Sequence, residues 1–135
     1  MRMLVDTPLW SLALRRGTLS PEEQGLVDTL AALLRELEAV LIGPVRQEVL
    51  SGIADEARFR LLRDRLRALP DTPLAMVDYE EAARLFNLCR GKGIQGSQVD
   101  FLICAVAIRL DIPIFTLDGD FLQYKKVLPV RVFQF

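Results

Sequence analysis

The stretch from Ser97 to Leu110, SQVDFLICAVAIRL, constrains the fold more than any other part of the chain. Wound as a helix, it is apolar on every face from Val99 to Ile108 apart from Asp100, and a helix hydrophobic all round belongs in an interior. The rest of the chain must therefore wrap it. Short apolar runs at Met3–Val5, Val40–Ile42, Leu74–Val77, Pro113–Leu117 and Val130–Phe133 supply candidate strands. Their lack of polar alternation suits parallel strands covered on both faces. Strands that alternate with helices in this way predict an α/β fold, a three-layer α/β/α sandwich around a central parallel sheet. With 135 residues, no repeat and no low-complexity tract, residues 1–135 read as a single domain.

The helices between the strands carry their own signals. Thr7 and Pro8 look like an N-cap and first helical residue, opening a helix to Arg15 or Arg16 that Gly17 closes. Ser20-Pro21-Glu22-Glu23 is a capping box, and Leu26, Leu30, Leu33, Leu34 and Leu37 follow at helical spacing to about Glu38. Gly43-Pro44 leads into a helix that carries Glu48 and stops at Gly52. From Asp55 to Leu69, Phe59, Leu62, Leu66 and Leu69 form one stripe, with Arg60, Arg63 and Arg67 on another face. Asp78-Tyr79-Glu80-Glu81 reads as a further capping box, opening a helix to about Arg90. Asp118-Gly119-Asp120-Phe121 turns into a short helix through Lys126.

The absence of histidine narrows the chemistry sharply. It removes Ser-His-Asp and Cys-His pairs, imidazole acid–base catalysis of metal-free RNA cleavage and the ordinary zinc sites. Cys89 and Cys104 lack metal-like spacing and sit in helical segments, as buried reduced thiols do. Carboxylates, hydroxyls and guanidinium groups remain. The net charge is −1, yet 14 of the 17 cationic residues are arginine, the better reader of phosphate. A hydrophobic content of 51% and a mean hydropathy of +0.25 leave room for an oligomer interface. The uncharged run from Phe101 to Ile108 is far shorter than the roughly 18 to 20 residues of a membrane span, and Asp6 interrupts any signal-like start. A cytoplasmic protein is expected.

Four acids fall in a pattern. Asp6 follows the first strand, Glu48 lies in the first turns after the second, Asp100 in the first turn of the central helix, and Asp118 directly after the Pro113–Leu117 strand. Ligand crevices of open α/β sheets form outside the carboxyl ends of strands, and right-handed crossovers bring helix N-termini to the same edge. That edge collects all four acids. Each also has a purely structural reading: Asp6 as a turn or cap, Glu48 as a helix-dipole acid, Asp100 as partner of Ser97 in an S-x-x-D box, and Asp118 as the first residue of a D-G turn. Together, carboxylates this close repel unless a cation neutralises them. An all-oxygen cluster suits Mg²⁺ or Mn²⁺, which activate water and stabilise charge at phosphorus during phosphodiester hydrolysis.

Two other motifs fail on context. Gly91, Gly93 and Gly96 match G-x-G-x-x-G, but follow a helix where a dinucleotide fingerprint follows a strand. They read instead as a linker that lets backbone approach substrate or metal. No G-x-x-x-x-G-K-[ST] is present, which excludes a P-loop.

Five segments carry a resemblance: VDTPLW at Val5 to Trp10, QEVLSG at Gln47 to Gly52, the DYEEAARLF helix, VDFLICAVA at Val99 to Ala107, and IPIFTLDGDF at Ile112 to Phe121. In this order and spacing the chain resembles PIN-domain nucleases, and most of all the VapC-type ribonuclease toxins of toxin–antitoxin pairs. The resemblance implies Mg²⁺-dependent RNA cleavage leaving a 5′-phosphate, and a homodimer inhibited by a partner antitoxin. By motif position the catalytic acids are Asp6, Glu48, Asp100 and Asp118. Asp6, Asp100 and Asp118 would hold metal, while Glu48 completes the shell or orients the attacking water. Thr116 and Asp120 support the site, and Thr7 supplies the hydroxyl that many relatives carry where this chain has Pro8. Arg15, Arg16, Arg90 and Lys92 flank the edge as candidate RNA contacts. The alternative is an inactive PIN-like module that binds protein or RNA through the same surface.

Overall fold

A computed structural model describes residues 1–15 and 17–133. Four parallel strands, β1 (Met3–Val5), β2 (Ala39–Val40), β3 (Ile114–Phe115) and β4 (Val132–Phe133), form one sheet in the order β2-β1-β3-β4. Leu4 stands opposite Val40 on one side and Ile114 on the other. The chain thus leaves β1 in one direction to reach β2, then returns past it to β3. Right-handed crossovers put those two connections on opposite faces of the sheet. The gap between β1 and β3 is a topological switch point, where ligand crevices open.

Seven helices fill the connections: α1 (Thr7–Ala13), α2 (Pro21–Arg35), α3 (Gly43–Ser51), α4 (Glu56–Leu66), α5 (Met76–Gly91), α6 (Gln98–Leu110) and α7 (Asp120–Tyr124). The central helix is as interior as its composition requires. Phe101 through Ala107 are buried without interruption, and α5 packs along α6 with Phe86 set edge-on to Phe101. The core continues through Leu4, Leu9, Leu30, Ile42, Ile103 and Phe115. The α2 capping box forms as expected, with Ser20 Oγ accepting from Glu23 N and Glu23 Oε1 accepting from Ser20 N. No described helix is long and apolar enough to cross a membrane.

Several boundaries differ from expectation. Leu74–Val77 is not a strand, because α5 begins at Met76. Asp78 is therefore the third helical residue rather than the cap, and its carboxylate accepts from Ala75 N. Arg109 on α6 donates to the same carboxylate at 2.7 Å, which ties α5 to α6 through a buried acid. Helix α1 is capped by Asp6 instead of Thr7 and ends at Ala13. Helix α2 stops at Arg35, and Leu37 takes a left-handed φ of 57° on the way into β2. Helix α4 ends at Leu66. Its surface arginines are spent locally, Arg60 on Glu56, and Arg63 and Arg67 on Asp64.

Candidate metal centre

The carboxyl ends of β1 and β3 lie side by side, so Asp6 and Thr116 are neighbours although they are 110 positions apart in sequence. Asp6 is buried, and both its oxygens are engaged. Oδ1 accepts from Thr7 N at 2.8 Å, the cap of α1, and Oδ2 accepts from Thr116 Oγ1 at 2.7 Å. The Thr116 hydroxyl accepts in turn from Asp118 N at 2.9 Å, and Asp118 Oδ1 accepts from Asp120 N at 2.9 Å. One buried hydroxyl therefore fixes the distance between two acids and the direction in which the chain leaves β3.

Asp100 reaches the same point from the first turn of α6. Its N–H donates to Ser97 Oγ, but its carboxylate does not close the S-x-x-D box. Oδ2 accepts instead from the Tyr124 hydroxyl at 2.5 Å. Carboxylate oxygens of Asp100, Asp118 and Asp120 all lie within 4.8 Å of one another. Glu48, on α3, is exposed and accepts from Thr7 Oγ1 at 2.9 Å. Thr7 thus contributes through both its amide and its hydroxyl, one to each of two acids.

Burial, with neighbouring charge added to it, raises two of these acids, Asp6 and Asp100. Burial pushes Asp6 from the usual 3.8 to about 6; the bonds from Thr116 and Thr7 oppose this, and the charges of Asp100 and Asp118 reinforce it. Burial also raises Asp100, with Asp118 and Asp120 adding to it against the bonds from Tyr124 and Ser97. Burial and the adjacent Asp100 push the Tyr124 phenol upward, keeping it a neutral donor. Cys104 is buried below, its thiol raised first by burial and then by Asp100, so it offers no thiolate. The donor set is oxygen alone, in a chain without histidine, which fits a hard divalent cation such as Mg²⁺ or Mn²⁺.

Of the candidate RNA contacts, Arg15 pairs with Glu23 at 2.6 Å and lines a recess of about 230 Å³ shared with Glu48. Arg90 lines a second recess with Phe86, Ile94 and Gly96, on the Asp100 side. Lys92 is exposed at the end of α5. Arg16 lies outside the described residues. Two residues escape sequence reasoning. Arg58 enters the recess beside Glu48 and donates to Leu14 O, with no carboxylate partner among the described residues. Tyr124 contacts Asp100. Neither carries a signal in the sequence, since each acts across a tertiary contact.

The family model of the PIN domain matches residues 3–127. The chain is a PIN-domain protein. No curated protein sequence matches it. Among solved structures, this PIN domain is similar to a chain of FitAcB from Neisseria gonorrhoeae, with a TM-score of 0.77 and 21% identity over 98% of this chain and 96% of that one. A chain of FitAB bound to the IR36 DNA fragment gives 0.74 and 22% over 97% and 93%. A chain of VapBC2 from Rickettsia felis, bound to a DNA fragment from its promoter, gives 0.75 and 15% over 100% and 99%. At these identities the likeness is one of fold, and it extends over nearly the full length of each chain.

Proposed function

We propose that this PIN-domain protein is a metal-dependent endoribonuclease that hydrolyses RNA phosphodiester bonds by metal-activated water, and that it is the toxin of a toxin–antitoxin pair. The observation that carries this reading is the convergence of Asp6, Asp100, Asp118 and Asp120 on one hydroxyl-braced point at the switch of a parallel sheet. Acids placed only to cap helices have no reason to gather at one point.

Asp6, Asp100 and Asp118 would hold the cation, and Asp120, whose carboxylate lies within 4.8 Å of those of Asp100 and Asp118, would support them. When bound, Mg²⁺ supplies a Lewis acid for a phosphate oxygen and a water of lowered pKa. Thr116 holds Asp6 and the Asp118 backbone in register. Thr7 anchors one oxygen of Glu48, which completes the shell or orients the attacking water. Arg15 and Arg58 on one flank and Arg90 and Lys92 on the other would receive the RNA backbone, where phosphate contacts position the strand without reading its sequence.

The partner reading rests on a second surface. An apolar groove of about 470 Å³ runs between α1, α2 and α4, lined by Trp10, Leu30, Leu34, Leu62, Leu66 and Leu69, with Arg65 at its rim. It suits an amphipathic segment of an antitoxin, and the similar structures named above are two-component assemblies by name. Homodimerisation and residence in the cytoplasm belong to the same proposal, as does the extent of the domain over residues 1–135.

The test is cleavage of a mixed RNA pool by purified protein with Mg²⁺ or Mn²⁺ and with EDTA, beside Asp6→Ala and Asp100→Asn. Metal-dependent cleavage lost in both variants is the expected result. A parent protein that neither cleaves nor gains melting temperature with Mn²⁺ would refute it and leave a binding module.

A further inference from the structure

Resting on the metal-centre reading, we infer that Tyr124 is the positioning residue of this site: its hydroxyl occupies Oδ2 of Asp100, and Gly96 is the residue that makes room for it. Tyr124 is fully buried, with its ring 4.9 Å from that of Phe101 and 5.1 Å from that of Phe121. A buried phenol needs a hydrogen-bond partner. Here the partner is Asp100, at the 2.5 Å characteristic of a hydroxyl donating to a carboxylate. The bond determines which way the Asp100 carboxylate faces. With Oδ2 held by the phenol, Oδ1 is the oxygen left without a hydrogen-bond donor among the described residues.

Gly96 explains how the phenol gets there. A Cβ on this residue would stand 2.2 Å from the Tyr124 hydroxyl oxygen and 2.7 Å from the ring carbon that bears it. Its backbone is not in the left-handed region, in contrast to Gly93 with φ of +75°. The glycine is therefore required for space and not for conformation. The linker glycines were expected to let backbone approach substrate or metal; at Gly96 the approach is to the side chain behind a candidate metal ligand.

Partners that orient a ligating side chain typically contribute 10- to 100-fold to metal affinity. Tyr124→Phe keeps the ring against Phe101 and Phe121 and removes only the donor. Mn²⁺ titrated by calorimetry into the full chain should bind about 10-fold or more weakly to this variant, with its metal-free melting temperature close to that of the parent. Gly96→Ala should weaken Mn²⁺ at least as much, and adding Tyr124→Phe to it should cause little further loss, because the bond is already broken. Equal Mn²⁺ affinity of parent and Tyr124→Phe overturns the role of Tyr124 while leaving the metal centre standing. A parent that binds no Mn²⁺ overturns both.

Discussion

Replacing Asp6 with asparagine should stabilise the metal-free protein at neutral pH, even though it removes an acid of the proposed site. The folded protein holds Asp6 at about 6 against 3.8 for an unperturbed aspartate, first because it is buried. The unfolded chain therefore releases this proton at lower pH than the folded one. Stability is full below about pH 4, declines as the pH rises toward 6, and levels off with a loss of about 3 kcal/mol. Asparagine has no such loss. Its oxygen can still accept from Thr7 N, but its amide faces the Thr116 hydroxyl that donated to Oδ2, which costs about 1 kcal/mol. The net gain near pH 7.5 is about 2 kcal/mol, or roughly 6 to 10 °C for a chain of this size. Near pH 4 the gain should vanish or reverse slightly. Scanning calorimetry in EDTA at both pH values measures this directly. An Asp6→Asn protein that melts no higher than the parent at pH 7.5, or higher by the same amount at both, would refute the account of a charge confined by burial and its neighbours. Mn²⁺ should then raise the parent and leave the variant nearly unmoved.

Asp100→Asn should abolish RNA cleavage while circular dichroism and melting remain those of a folded protein; cleavage retained in purified variant would remove Asp100 from the site. Arg109→Ala should cost about 3 kcal/mol in urea unfolding, since it strips the guanidinium from the buried Asp78 carboxylate. Burial alone would raise Asp78, but Ala75 N–H and Arg109 outweigh it and hold the acid low, so its contribution is present at neutral pH and is lost as the pH falls through its folded value. In the variant that acid-side loss should shrink. Ser20→Ala should cost about 1 kcal/mol by opening the α2 capping box, with no change in Mn²⁺ affinity.

The parts legible in the sequence were those in which a residue acts through its own neighbours. The all-apolar α6, the Ser20 box and the Gly43-Pro44 start of α3 follow from local spacing and local caps, and each stands close to its expected place. The acids at strand ends could be placed because the carboxyl edge of a parallel sheet is a property of the topology. Leu74–Val77 misled because an apolar run of four residues suits the first turn of a helix as well as a strand, and Asp78 reaching back to Ala75 N decides between them. Thr7 was expected at the cap, but the Asp6 carboxylate is one residue nearer β1 and takes the Thr7 amide first. Tyr124 and Arg58, and the side chain that Gly96 admits, were illegible for a different reason. Their partners lie 24 or more positions away, in contacts that no periodicity encodes.

The bond between Thr116 and Asp6 closes a loop of 110 residues across the middle of the sheet. Contacts of such long range carry a large loop-closure cost, which must be met before they contribute stability. During synthesis the acids at the two ends of this loop exist in the same molecule only once residue 118 has left the ribosome. A chain that stops short of residue 118 therefore holds Asp6 and Glu48 without Asp118. The centre is thus a property of the whole sheet: its acids stand together only when both ends of this long loop have been made and joined.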